Sequence, residues 1–235
     1  SSRAPAADCA RPQASIPIPN KKETPHPIPH PTSTREGRRA TLSGRDRNAF
    51  DEIEPVAVEP GDTRGRAYGV AFDIGTTSVV GYLVDLFTGR EVARSSRLNG
   101  QQPWGADVIS RATHALETPR GVEELQAAVI GTLNQILADC CASVDPGEVY
   151  YATVVGNSLM HHLALGITPA TIAVSPYVAV SRDPLQVKAT DLGIALPNAW
   201  VYFLPLIGAY VGADTLAVIM ATGLDESEDI CLAVD

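Results

Sequence analysis

The chain has 235 residues, 45% of them apolar, and a formal net charge of -9, the profile of an ordinary globular protein able to bury a core. Residues 1–50 hold nine Lys or Arg against four Asp or Glu, and the rest nine against twenty-three, so the acidic body argues against nucleic acid as the main partner. Cys9, Cys140, Cys141 and Cys231 lack the short fixed spacings of a disulfide framework, a zinc site or an iron-sulfur cluster. No apolar run approaches the roughly 20 residues that span a bilayer, and the expectation is reduced thiols in a cytoplasmic protein.

Residues 1–50 are rich in Pro, Ser, Arg and His and show no apolar period. Such a segment buries too little surface to offset the entropy of ordering, so it reads as a disordered tail, with 51–66 as a linker. His26 and His30 lie among prolines with no third ligand nearby, which favours solvated side chains over a metal site.

From Ala67 three apolar runs follow, AYGVAFD (67–73), SVVGYLVDL (78–86) and EVARSSRL (91–98). They read as antiparallel strands reversed at Gly75 and at Thr88-Gly89. A helix is predicted within GADVISRATHAL (105–116), where Trp104, Asp107 and Arg111 read as mainly structural. A longer helix is predicted from Thr118 as N-cap with Pro119 at its first position. There Val122, Leu125, Val129, Leu133, Ile136 and Cys140 recur every three or four residues, one buried stripe with Cys140 as core packing.

EVYYATVVG (148–156) is then a strand and NSLMHHLAL (157–165) a short helix capped by Asn157. Adjacent helical residues point about 100° apart, so His161 and His162 read as one packed and one near the surface rather than as a chelating pair. Asn157 is a candidate to face ligand as well as cap the helix. An irregular region with SPYVAV (175–180) as an extended loop or edge strand leads to a strand at VYFLPLIG (201–208). A helix at GADTLAVIMATGL (212–224) stopped by Gly223 and a last strand at ICLAVD (230–235) complete the order. It suits a mixed sheet covered by helices.

The turn after the first strand carries the chemistry. Gly75 lets backbone approach a ligand closely, and Thr76 and Thr77 set hydroxyls beside backbone N-H groups, a combination suited to phosphate oxygens. Asp73 beside a phosphate is repulsive unless a divalent cation intervenes, and Mg²⁺ commonly touches one or two carboxylates plus phosphate. The alternative is an ordinary hairpin in which Asp73 only bonds the turn's own N-H groups.

FDIGTTSVVGYLVD resembles the first phosphate motif of the superfamily of acetate and sugar kinases, heat-shock chaperones and actin, whose domains begin with three antiparallel strands. The resemblance implies an α/β, ribonuclease-H-like (actin-like ATPase) fold. GADTLAVIMATGLD resembles that superfamily's first connecting helix and ICLAVD the strand of its second phosphate motif. It implies Mg²⁺ held through Asp73 and Asp235, phosphate held by Gly75, Thr76, Thr77 and Gly212, and Asp214 beside the metal and attacking water. Asp73 is implied in catalysis as well.

A narrower resemblance, over about residues 55–235, is to the ATPase domain of the reductive activators of corrinoid proteins. It rests on five ordered segments: residues 56–89, GADVISR (105–111), VVGNSLMHHLALG (154–166), SPYVAV and GAYVGAD (208–214). In that family a two-iron two-sulfur domain supplies an electron to cobalt(II), and ATP hydrolysis drives reduction to cobalt(I). The implied function is ATP-dependent reductive activation of a corrinoid protein, with ATP and Mg²⁺ as cofactors and a homodimer as a compatible assembly.

Two departures qualify this. The tail holds only Cys9, which does not support an iron-sulfur cluster in this chain, and the chain ends at Asp235, before the glycines of the second phosphate motif. Residues 67–235 are therefore expected to be the first half of an ATPase domain. The competing expectations are a non-catalytic nucleotide-binding or interaction fragment and a small-molecule kinase of the same superfamily.

Overall fold

A computed structural model of the chain describes residues 62–63, 65–227 and 230–232. The predicted tail with Cys9, His26 and His30, most of the predicted linker, and Asp235 lie outside the described residues.

Strands β1 (Tyr68–Ile74), β2 (Ser78–Asp85) and β3 (Glu91–Leu98) form the expected antiparallel meander. Its second reversal is built as anticipated. Gly89 is left-handed at φ 69°, and the Asp85 carboxylate accepts from the N-H groups of Phe87 (2.8 Å) and Thr88 (3.2 Å). Helices α1 (Val108–Glu117) and α2 (Gly121–Cys140) follow, then β4 (Val149–Gly156), which pairs in parallel with β1. Beyond it lie α3 (Ser158–Ala164), the single turn α4 (Ala170–Ala173), β5 (Leu185–Lys188), β6 (Trp200–Phe203) and α5 (Ala213–Thr222).

The six strands make one mixed sheet in the order β3-β2-β1-β4-β6-β5. The three-strand meander joined to a parallel β4 is the ribonuclease-H-like arrangement that the resemblance implied. Parallel strands inside a covered sheet are apolar on both faces, and Gly69, Val70, Phe72 and Ile74 of β1 are all buried.

Helix α2 lies against β2 and β3 through the stripe Leu125, Val129, Leu133, Ile136 and Cys140, each at most 2% exposed. Burying such a side chain contributes about 1.5–3 kcal/mol, which outweighs the roughly 1 kcal/mol that Gly131 costs mid-helix. The fit is closest at Gly81, where a Cβ would meet Ile136 at 2.5 Å and the Phe72 ring at 3.1 Å.

Five sequence expectations are corrected. Thr118 does not start α2: it ends α1, its N-H bonded to the His114 carbonyl at 3.1 Å, and Arg120 in the left-handed region (φ 66°) precedes Gly121. Pro119 holds its predecessor extended, and the close pass of Gly121 under the His114 carbonyl leaves no room for a Cβ.

Both histidines of α3 are buried, because all seven residues of that short helix are enclosed. The strand predicted from Val201 stops at Phe203, ahead of Pro205, which has no N-H for a ladder. Its partner β5 lies in the region read as irregular. Ile230–Leu232 of the predicted last strand are exposed and outside any strand.

Among the described residues no helix is long and apolar enough to cross a membrane.

Candidate functional site

Three chain segments meet at the carboxyl ends of the parallel strands β1 and β4, the place where open α/β sheets offer a crevice. They are the turn after β1 (Gly75–Thr77), the β4 to α3 junction (Gly156-Asn157), and the start of α5 (Gly212–Asp214). The Asn157 side chain caps α3 by accepting from the Met160 N-H at 3.0 Å and donates to the Thr76 hydroxyl oxygen at 3.1 Å. Gly212 packs so tightly on Gly156-Asn157 that a Cβ there would overlap the Gly156 carbonyl. Ser158 Oγ ties the approach to α5 by donating to the Gly208 carbonyl at 2.7 Å.

The turn itself needs glycine at 75, where a Cβ would stand 2.6 Å from the Ser78 carbonyl oxygen. Its carbonyls are held from behind by a buried polar frame. Asn99 Nδ2 donates to the Gly75 carbonyl at 2.8 Å, Arg111 Nη2 to that of Thr76 at 2.6 Å, and the Asn99 N-H to that of Thr77 at 2.9 Å. Asn99 is 1% exposed and Arg111 and Gln101 0%.

Peptide groups are trans and planar, so a carbonyl drawn one way sends the following N-H the other. The frame therefore aims the N-H groups of Thr76 and Thr77 away from itself, and neither is bonded to another described residue. Two such donors beside the Thr76 and Thr77 hydroxyls make a concave surface suited to an anion.

Asp73, the last residue but one of β1, is exposed and sits opposite Val155 of β4. Asp214, in the first turn of α5, is half-buried and its Oδ1 accepts from the Thr215 N-H at 2.7 Å. The structure thus gathers Gly75, Thr76, Thr77, Asn157 and Gly212, with Asp73 and Asp214 on the flanking elements.

Among the described residues no cluster of three His, Cys, Asp or Glu is present. Separate carboxylates on the elements that flank the turn fit Mg²⁺ bound through water and phosphate, which asks for few protein ligands. They do not fit an all-protein metal cage. Among the described cysteines, Cys140 is buried and makes its contact with the Gly81 carbonyl, and burial raises the thiol pKa of both Cys140 and Cys141.

Residues 68–227 match the family described as the RACo middle region. The chain belongs to that family. As a RACo middle region it is 40% identical over 171 residues to "Corrinoid activation enzyme RamQ" of Eubacterium limosum, covering 72% of this chain and 28% of that protein. It also matches the solved structure titled "Reductive activator for corrinoid,iron-sulfur protein" with a TM-score of 0.70 and 38% identity, over 72% of this chain and 28% of that one. The chain thus spans between a quarter and a third of the length of these relatives.

The frame behind the turn was not legible as a site in the sequence, which gave Arg111 a structural role and passed over Asn99 and Gln101. One signal was available. Arg111 falls on the buried stripe of α1 with Ala112 and Ala115, where a charged residue needs a partner. Asp107 proves to be the N-cap of α1, with the Ser110 N-H holding its carboxyl below the usual range.

In this RACo middle region the histidine pair makes no chelate. His161 packs edge-on against Phe203 (5.2 Å between ring centres) with neither ring nitrogen bonded among the described residues. Burial pushes its pKa down to about 3. His162 Nδ1 donates to the Ser158 carbonyl at 2.7 Å and its Nε2 accepts from the Val180 N-H at 3.1 Å, so the neutral Nδ1-H tautomer holds the 175–180 loop. Burial lowers its pKa too.

Proposed function

We propose that this chain is the first phosphate-binding part of an ATP-dependent reductive activator of a corrinoid protein. The observation that carries the reading is the convergence of the Gly75–Thr77 turn, with its outward N-H donors, on Asn157 and Gly212, with Asp73 and Asp214 on the elements that flank it. The names of the two relatives support the corrinoid assignment. Because this chain matches only part of each, turnover and partner belong to the proposal.

In this reading the N-H groups and hydroxyls of Thr76 and Thr77 hold phosphate oxygens. The Thr76 hydroxyl accepts from Asn157 and so keeps its own hydrogen for the ligand. Asp73 holds the water shell of Mg²⁺, and Asp235 would join it. Asp214, at the start of α5, orients the attacking water. Bound Mg²⁺-ATP supplies the hydrolysable phosphoanhydride, and the protein's part is positioning and charge neutralisation.

Calorimetric titration of the chain with ATP, with and without Mg²⁺, tests the site. Binding that depends on Mg²⁺ and weakens at least about tenfold in Asp73→Asn is expected, a loss of about 1.4 kcal/mol. Metal-independent binding unchanged in that variant would contradict the reading. Substituting this chain for the matching segment of the Eubacterium limosum enzyme, and following cobalt(II) to cobalt(I) by absorbance, tests the corrinoid part. ATP-dependent reduction by the chimera is expected, and a chimera that folds and binds ATP without reducing cobalt would contradict it.

A further inference from the structure

Among the described residues Arg111 is the largest fully buried side chain, and its charge has no carboxylate partner there. Its Nε donates to the Gly105 carbonyl (2.9 Å), Nη1 to Gln101 Oε1 (3.2 Å) and to Met160 Sδ (3.5 Å), and Nη2 to the Thr76 carbonyl (2.6 Å). No described carboxylate forms an ion pair with it, and Asp107, the one acidic group felt at a distance, spends its carboxylate on the cap of α1. Neutral hydrogen bonds alone compensate a buried cation poorly, and the natural counter-charge is an anion across the turn.

We propose that Arg111 is a positioning residue that sets the anion affinity of the Gly75–Thr77 turn, acting through the Thr76-Thr77 peptide on polyphosphate bound to the opposite side. This rests on the phosphate reading above. The guanidinium polarises the peptide whose carbonyl it holds, so the Thr77 N-H becomes a stronger donor, as in cooperative hydrogen-bond chains. Its charge also makes the turn electropositive from behind without blocking it. A side chain needed only to fill space or satisfy the carbonyl would not make binding depend on ligand charge.

The test uses the full 235-residue chain in Mg²⁺ buffer, with inorganic pyrophosphate and tripolyphosphate as ligands and Arg111→Met and Arg111→Lys as variants. The Met variant is expected to bind tripolyphosphate at least about tenfold more weakly and to lose most of the preference for tripolyphosphate over pyrophosphate, while the Lys variant keeps that preference. The Thr77 amide proton is expected to move upfield in the ligand-free Met variant. Should Arg111→Met not fold, Arg111→Gln carries the same expectations. A neutral variant that keeps the wild-type affinity and preference overturns the inference alone. Equal losses in Lys and neutral variants reduce Arg111 to a structural residue. If the wild-type chain binds neither polyphosphate, the phosphate reading falls and this inference with it.

Discussion

Removing the Asn99 side chain should loosen the turn from behind. Asn99→Ala deletes the bond to the Gly75 carbonyl at 2.8 Å and the bond accepted from the Gln101 N-H at 2.9 Å. Gln101 is fully buried, so water cannot replace the lost acceptor there. Leaving a buried group unpaired costs about 1–3 kcal/mol, and with the partly buried Gly75 carbonyl the sum is about 2–4 kcal/mol.

The control is Asn134→Ala. Asn134 also donates to one backbone carbonyl (Gly193, 2.9 Å) and accepts from one backbone N-H (Ala195, 2.8 Å), but in reach of solvent. Water can take over both, and a cost of about 1 kcal/mol is expected. Urea denaturation of both variants measures the difference. Equal costs, or an Asn99→Ala cost below about 1 kcal/mol, would refute the claim that a closed polar frame holds the turn.

Three further outcomes follow from the geometry. Burial holds the folded pKa of His161 at about 3, below the ordinary 6.5, so the unfolded chain binds more protons and stability falls as pH drops below 6.5. At about 1.4 kcal/mol per pH unit, His161 should cost about 2 kcal/mol by pH 5, and His161→Phe should flatten that part of a stability-pH profile measured in urea. Gly212→Ala forces a Cβ onto the Gly156-Asn157 backbone; overpacking of about 1–3 kcal/mol is expected, with weaker Mg²⁺-ATP binding read by calorimetry. Arg97→Ala removes the exposed pair with Asp139 at 2.7 Å and should shift stability by no more than about 1 kcal/mol in the same urea assay.

What the sequence made legible is what local pattern encodes. The apolar runs of β1 and β2, the three-and-four spacing of α2, the Asn157 cap and the Gly223 stop are each set by a few neighbouring residues. The frame is different in kind: Asn99 reaches back 24 residues to Gly75, and Arg111 reaches 35 to Thr76. No short window contains both ends of such a bond.

β5 escaped notice because Leu185–Lys188, two residues half-buried and two exposed, become a strand only by pairing with β6. The opposite error at Ile230–Leu232 has the same root, since an apolar run is a strand only when it pairs, and these residues pair with no described strand. The turn itself was readable because Gly75 must lack a Cβ and Asp73 is out of place in an apolar strand. The sequence offered Asn157 only as a candidate to face ligand, and its contact with Thr76 across 81 residues lay beyond any local pattern.

The most direct measurement is a ¹⁵N-¹H titration of the labelled chain with Mg²⁺-ATP. The amide signals of Thr76 and Thr77 should show the largest downfield shifts, with smaller ones at Asn157 and Gly212. Saturating ligand that leaves the Thr76 and Thr77 amides unmoved, or shifts confined to another face of the sheet, would contradict a phosphate site at this turn.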